Sequence, residues 1–316
     1  MRILITGAGG YIGSQTSKQL HQGGHTVIAV DRNSISHQYY TEKHRRDYNA
    51  IRDLLSGVDA VIHIAATSLV GPSVTAPSKY YENNVAGTLA LLDNCVDEHV
   101  KKFIFASSAA CYGEVESGIC TIEDGNTPTN PYGWTKRIAE IMLNDYATAY
   151  GINSVSLRFF NVAGADSTGE LGQVKSATHI IARIMESAME DKMFTLYGND
   201  YPTDDGTCVR DYIHVEDVAS GIESGLDYLT THKGAHVFNL GCDQGYSNLD
   251  ILNAITEHTP LEPKFQYSER RAGDPATLVA DVETTFKELN WKATHGLDSI
   301  VTTAYNWYKK QQTSTS

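Results

Sequence analysis

Thr6-Gly7-Ala8-Gly9-Gly10-Tyr11-Ile12-Gly13 places a glycine at every third position from Gly7, directly after the apolar run Ile3-Leu4-Ile5. A tight turn out of a strand, close approach of the backbone to a pyrophosphate and close helix–strand contact each call for a residue without Cβ. The helix that follows, running through Gln19-Leu20, presents unpaired N–H groups and a positive dipole end to an anion. The next strand, Thr26-Val27-Ile28-Ala29-Val30, ends in Asp31, where a carboxylate accepts from an adenosine ribose. That carboxylate repels a 2′-phosphate and favours NAD over NADP, although Arg32 beside it offsets part of the repulsion.

Outward from this turn, strand and helix signals alternate. Ala60-Val61-Ile62-His63-Ile64, Lys102-Phe103-Ile104-Phe105-Ala106 and Val155-Ser156-Leu157-Arg158-Phe159 read as strands, with helix-like stretches at Asn84 to Glu98 and Pro131 to Tyr150. Short apolar strands separated by helices imply an α/β fold, a Rossmann-type doubly wound parallel sheet covered on both faces. After Ala165, Gly, Asp, Thr and Pro thicken between Asp166 and Lys175 and again from Tyr197 to Thr207. The expected division is a dinucleotide-binding domain over 1–165 and a smaller C-terminal substrate-binding lobe over 166–316. The stretch Asp211 to Leu240 reads as helix then strand, so the segment about 211–241 is expected to rejoin the first domain. The tail Gln311 to Ser316 is expected to fray.

The 316 residues carry a net charge of −13, which disfavours nucleic acid and anionic membrane as partners. Cys95, Cys111, Cys120, Cys208 and Cys242 are odd in number and never form a CxxC, which suits a reducing compartment. The glycines follow Met1 too soon for a signal-peptide core, and no apolar run approaches a membrane span of about 18 residues. The expected setting is cytoplasmic.

Tyr132-Gly133-Trp134-Thr135-Lys136 puts a phenol and an ammonium at i and i+4 on one helix face. Tyr39/Lys43 and Tyr305/Lys309 share the spacing, but only the middle pair follows an Asn130-Pro131 helix start and a strand ending in Ser107-Ser108. A phenol with a pKa of ~10 is a poor base at neutral pH, and a nearby cation lowers it by roughly 1–3 units. Lys136 and a positive nicotinamide ring are both expected to act on Tyr132 in this way. Tyr132 then takes a hydroxyl proton while Ser108 hydrogen-bonds the same oxygen. His21/His25 and His232/His236 are four apart but span glycines, and no metal site is expected from them.

The glycine turn, the serine and Tyr-x-x-x-Lys together resemble the extended short-chain dehydrogenase/reductase family. Within it, Tyr197-Gly198-Asn199-Asp200-Tyr201-Pro202-Thr203-Asp204-Asp205-Gly206-Thr207-Cys208-Val209-Arg210-Asp211-Tyr212-Ile213-His214-Val215 is similar to the UDP-glucose 4-epimerases. So are Tyr80-Tyr81-Glu82-Asn83-Asn84-Val85, Arg158-Phe159-Phe160-Asn161-Val162-Ala163-Gly164-Ala165 and Arg270-Arg271-Ala272-Gly273-Asp274. The resemblance runs nearly end to end.

It implies a UDP-hexose 4-epimerase working with bound NAD, through oxidation at C4 to a 4-keto sugar and return of the hydride to the opposite face. By position it implies an NAD site of Gly7, Gly10, Tyr11, Ile12, Gly13, Asp31, Asp47, Tyr48, Ile64, Ala65, Ala66, Ser68, Asn84, Lys136 and Phe160. The UDP-sugar site it implies is Ser108, Tyr132, Asn161, His179, Thr195, Tyr197, Arg210, Arg271, Asp274 and Leu278, with arginine forks suited to diphosphate. A homodimer through the helices Asn84–Glu98 and Pro131–Tyr150 is the corresponding expectation.

Three departures stand out. Ala65-Ala66-Thr67-Ser68 replaces a Phe-Ala-Gly run followed by Lys, the Asp31–Asp47 segment is short, and Leu278 stands where a bulky Tyr is common. The last leaves room for an N-acetyl group, so UDP-N-acetylglucosamine is an alternative substrate. UDP-glucuronate epimerase or decarboxylase chemistry is another, and an NAD-sensing regulator is the alternative outside enzymes. Ala109-Ala110 after Ser108 argues against a 4,6-dehydratase, whose pattern has Asp-Glu there.

Overall fold

The structure, a computed structural model, describes residues 1–32, 41–44, 48–174, 178–271 and 274–313, with 41–44 and 48–50 by backbone alone. The chain opens with β1 (Arg2–Thr6), α1 (Tyr11–Gln22), β2 (Thr26–Asp31), β3 (Thr41–His44), β4 (Ala60–His63), α2 (Val70–Thr75), α3 (Pro77–Tyr80) and α4 (Gly87–Asp97). It continues through β5 (Lys102–Ser108), β6 (Ile119–Cys120), α5 (Pro131–Tyr150), β7 (Asn153–Phe159), β8 (Asn161–Ala163), α6 (Ile180–Met189) and β9 (Phe194–Tyr197). The remainder is β10 (Val209–His214), α7 (Val215–Tyr228), β11 (Ala235–Leu240), β12 (Gly245–Ser247), α8 (Asn248–His258), β13 (Phe265–Ser268), β14 (Thr277–Ala280), α9 (Glu283–Leu289) and α10 (Leu297–Thr313).

Seven parallel strands run in the order β11-β7-β5-β4-β1-β2-β3. Strand alternation explains how both faces are buried. Ile3 and Ile5 point into a core with Leu20 of α1 and Val218, Ile222 and Leu226 of α7. Leu4 points the other way, with Val61, Phe103 and Phe105, towards Leu91 and Leu92 of α4 and Leu143 of α5. Order reverses between β1 and β4, so a crevice opens at the carboxyl ends of those strands, where open α/β sheets bind ligands.

A second sheet, β12-β10-β14-β6, with β8 also paired to β10, lies beyond this crevice, and β9 pairs with β13 separately. A third core of Ile181, Ile184, Ile251, Ile255, Ile300 and Val301 binds α6, α8 and α10 together. The chain then returns: α7 packs on the large sheet and β11 pairs with β7, from Ala235↔Ser154 to Leu240↔Phe159. The stretch read as helix then strand thus begins with four residues of β10, which its neighbours β8, β12 and β14 draw into a sheet.

α5 follows its sequence reading. Asn130 Oδ1 accepts from Gly133 N at 2.9 Å, Pro131 occupies the first turn, and Gly151 at φ +67° closes the helix. The Asn84–Glu98 helix differs: Tyr81–Ala86 is a π-helical turn and α4 starts only at Gly87. The wider turn coincides with Asn84 facing inward. Its Oδ1 accepts from Thr67 N at 2.8 Å, and its Nδ2 donates to Thr67 O and Thr135 Oγ1, each at 3.0 Å.

Candidate functional site

The β1–α1 turn is built for close approach. Gly7 has φ +75°, and a Cβ there would lie 2.6 Å from Ala65 N; at Gly13 it would lie 2.1 Å from Gly7 O. These two glycines are needed by the protein itself. Gly10 is exposed, and a Cβ there would meet only Gly7 O at 3.2 Å, so its smallness leaves space on the outer side. α1 has no capping side chain and no acidic residue in its first turn, which leaves its leading N–H groups and dipole to an anion. Asp31 ends β2 with Oδ2 accepting from Gly9 N at 3.0 Å, which places its carboxylate at the lip of the same turn. These residues fit a dinucleotide. Ile64 N and Ala65 N both donate to Thr6 O at 3.1 Å, which brings the Ile64–Ala65–Ala66 stretch against the turn. Asn84 is buried and spends its amide on fixing Thr67, so it holds this loop rather than projecting from it. Asp47 lies outside the described residues, and Tyr48 is described by backbone alone.

Tyr132 and Lys136 stand one turn apart on the buried face of α5, and Ser108 ends β5. Gly133 is required here, because a Cβ would lie 2.3 Å from Ala110 O. Ser108 Oγ accepts from Ala110 N at 3.2 Å and hydrogen-bonds the Tyr132 phenol. Lys136 Nζ donates to Ala106 O at 2.6 Å and lies 5.9 Å from the Tyr132 ring centre. The expected lowering of the phenol by Lys136 is not what the protein alone produces. Burial pushes Tyr132 up to about 12, opposed by the Ser108 hydrogen bond, and burial pushes Lys136 down to about 8. The physical reason is desolvation of both groups, with the ammonium turned to a backbone carbonyl.

A cavity of about 710 Å³ extends from Ser108 and Tyr132 into the smaller sheets. Ser108, Tyr132, Asn161, His179, Thr195, Tyr197, Arg210, Arg271, Asp274 and Leu278 all line it, as do Tyr11, Ile12, Ser68 and Phe160. Gly7, Gly10, Gly13, Asp31, Ile64, Ala65, Ala66, Asn84 and Lys136 are not among its lining residues. Arg210 pairs in register with Leu278 across β10 and β14, which ties a cation and an apolar wall to one ladder. Arg210 Nη1 donates to Val209 O at 2.8 Å, and its Nη2 is 4.0 Å from Asp274 Oδ1. Arg271 lies 4.2 Å over the Tyr197 ring. Tyr11 Oη donates to Gly164 O at 2.7 Å, which closes the floor between the turn and the loop after β8.

Sequence reading missed several groups here. Arg183 and Glu114 line the cavity, and a buried Glu140–Arg158 pair lies beneath the Tyr132–Lys136 face. For Glu140 a signal existed in its spacing four residues past Lys136; for the others only tertiary structure supplies one. Elsewhere, His214, Glu216 and His295 bring ligand-type atoms within 4.8 Å of one another. The two rings are stacked at 4.3 Å, so their in-plane lone pairs do not meet at a point. His214 Nδ1 accepts from Glu216 N, and His295 Nδ1 is 2.9 Å from Asp217 Oδ1. The cluster joins the start of α7 to the approach to α10.

Residues 3–241 match the NAD dependent epimerase/dehydratase family. The UDP-glucose 4-epimerase of Lacticaseibacillus casei is 39% identical over 98% of this chain and 97% of its own. Among solved structures, the UDP-glucose 4-epimerase of Brucella ovis in complex with NAD is similar with a TM-score of 0.91 and 39% identity, covering 96% of this chain and 97% of that one. That of Bifidobacterium longum, in complex with NAD+ and UDP, has a TM-score of 0.90 and 34% identity over 99% of both chains.

Proposed function

The chain belongs to the NAD dependent epimerase/dehydratase family, and on that footing we propose that it is an NAD-dependent UDP-hexose 4-epimerase interconverting UDP-glucose and UDP-galactose. The observation that carries this reading is the single cavity shared by Ser108 and Tyr132 from the large-sheet side and Arg210 and Arg271 from the smaller sheets. Residues 1–165 with about 211–241 form the NAD-binding domain in this reading, and 166–316 supply the UDP-sugar lobe.

Gly10, the start of α1 and Asp31 hold the dinucleotide, with Ile64, Ala65, Ala66 and Ser68 along its side. When bound, NAD supplies a reversible acceptor for the C4 hydride and a positive ring beside the phenol. Tyr132 takes the C4 hydroxyl proton in the first half-reaction and returns it in the second. Ser108 hydrogen-bonds the same oxygen as it becomes a carbonyl. Moving Tyr132 from about 12 to neutrality needs about 7 kcal/mol of phenolate stabilisation. A cation at about 6 Å gives ~3 kcal/mol at an effective dielectric near 20, so Lys136 covers under half and the rest falls to the bound groups. Inversion requires the 4-keto sugar to present its other face. Arg210 and Arg271 keep the diphosphate anchored meanwhile.

UDP-N-acetylglucosamine is a second reading, favoured by Leu278, which lines the cavity opposite Arg210 on the ladder. UDP-glucuronate is a third reading, for which Arg183 in the cavity lining is a candidate partner of the C6 carboxylate. Among the described residues no helix is long and apolar enough to cross a membrane, and all five cysteines are thiols. The thiols support a cytoplasmic setting. A homodimer through α4 and α5 is supported by the exposed apolar side chains Leu89, Trp134 and Ile141.

The test is purified protein incubated with UDP-galactose and no added cofactor, with products resolved by NMR. UDP-glucose is expected to appear. No turnover of UDP-galactose or UDP-N-acetylglucosamine, with NAD supplied, overturns the reading and leaves an NAD-sensing regulator in its place.

A further inference from the structure

Tyr132, Lys136 and Glu140 stand at i, i+4 and i+8 of α5, and all three are buried. A carboxylate in such a place needs donors on every side, and Glu140 has them. Its Oε1 accepts from Ser107 Oγ at 2.6 Å and Arg158 Nε at 2.9 Å. Its Oε2 accepts from Arg158 Nη2 at 2.8 Å and Arg137 Nη1 at 3.1 Å. One side chain therefore ties α5 to β5, at the residue before Ser108, and to β7 through Arg158. Arg158 in turn lies 4.5 Å over the Tyr112 ring.

We propose that Glu140 is a positioning residue for the epimerase reaction, one that keeps Lys136 charged and fixes Ser107-Ser108 against the helix that carries Tyr132. The proposal rests on the epimerase reading of this site. It follows from what faces Lys136 on each packed element. β4 offers His63, whose imidazole burial holds down at about 3, so it is neutral. The turn after β5 offers Cys111, a thiol that burial pushes up to about 12, so it is neutral too. β5 offers the Phe105 ring, 4.8 Å from the ammonium. α5 offers the neutral Tyr132 phenol and Glu140. Arg158 holds the Glu140 carboxyl below its ordinary value, so it stays ionised. Cys111, whose charge would act on Lys136 in the same direction, is a neutral thiol, so Glu140, one turn along the buried face of α5, is the anion among these groups that opposes the burial of Lys136. Without it the ammonium loses its proton at lower pH, and the phenol loses its cation.

Glu140→Gln keeps the volume and an acceptor for Ser107 while removing the charge. The alkaline limb of kcat for UDP-galactose is expected to move down by about one pH unit, with about five-fold less activity at pH 8 and little change in KM. Glu140→Asp, which restores the charge, is expected to leave the limb where the unmodified enzyme has it. Glu140→Gln strands Arg158 as a buried cation, which can impair folding, so Glu140→Gln/Arg158→Met is made alongside it. This double variant removes a cation together with the anion, so its limb is expected to be lowered by less than that of Glu140→Gln. A limb that stays put in both charge-removing variants, whatever their thermal midpoints, overturns the proposal. Unmodified protein inactive on every UDP-sugar refutes the epimerase reading first and takes this proposal with it.

Discussion

His63 lies at the end of β4 with Nδ1 2.6 Å from Thr6 Oγ1 and Nε2 2.9 Å from Thr88 Oγ1, joining β1 to α4. Burial, assisted by the Lys136 charge, holds its imidazole at about 3 against about 6.5 in an open chain. Between those values the unfolded state binds a proton that the folded state refuses. His63 therefore leaves stability intact above pH 6.5 and erodes it as pH falls towards 3, by up to about 1.4 kcal/mol per unit. His63→Gln is expected to flatten that slope by one proton's worth in urea melts run from pH 6.5 to 4; an unchanged slope refutes it. The same physics explains what could be read at this scale and what could not. The Tyr132/Lys136 spacing is local and legible. The desolvation that drives the phenol up and the ammonium down comes from β5, the turn after it and α5 closing together, which no spacing records.

The β1–α1 element separates two uses of glycine. Gly13→Ala drives a Cβ to within 2.1 Å of Gly7 O and 2.8 Å of Ala8 Cα, backbone atoms that cannot step aside. A loss of about 1–3 kcal/mol in denaturant stability is expected. Gly10→Ala meets only Gly7 O at 3.2 Å and should fold normally, yet carry less NAD than the unmodified protein. The check is NAD assayed in heat-released supernatant beside circular-dichroism melts. Full retention by Gly10→Ala refutes the placement of the dinucleotide on this turn. Elements as long as α5 announce themselves, since Asn130, Pro131 and Gly151 mark both ends. Strands of two or three residues do not. β8 exists because Asn161 meets Tyr212, and β6 because Cys120 meets Ala280, partners far along the chain. A segment that short has no period to read. The π-turn at Tyr81–Ala86 was hidden likewise, because the partners of Asn84 lie on a loop and on α5.

For the whole molecule, the parallel sheet was legible in alternating apolar runs, whereas the cavity was legible only through resemblance. Arg210, Arg271, Thr195 and Leu278 come from separate strands and loops, and chain order alone does not collect them. The proposed dimer rests on a surface property of the same helices. Trp134 and Ile141, seven apart on α5, and Leu89 on α4 remain exposed, at 41%, 46% and 43%. Sedimentation at micromolar concentration is expected to give a dimer, and Ile141→Arg a lighter species with the cavity intact; a monomer for the unmodified protein sinks the dimer. The return of the chain to β11 bears on how the molecule is made. A ribosome delivers β7 by residue 159, but its sheet neighbour ends only at residue 240, about three quarters of the way along. At roughly 5–20 residues per second, that edge of nascent sheet waits ~4–16 s for its partner. β7 is already paired with β5 on its other side, but its open edge is a template for aggregation until β11 arrives, in a chain that already contains every glycine of its nucleotide turn.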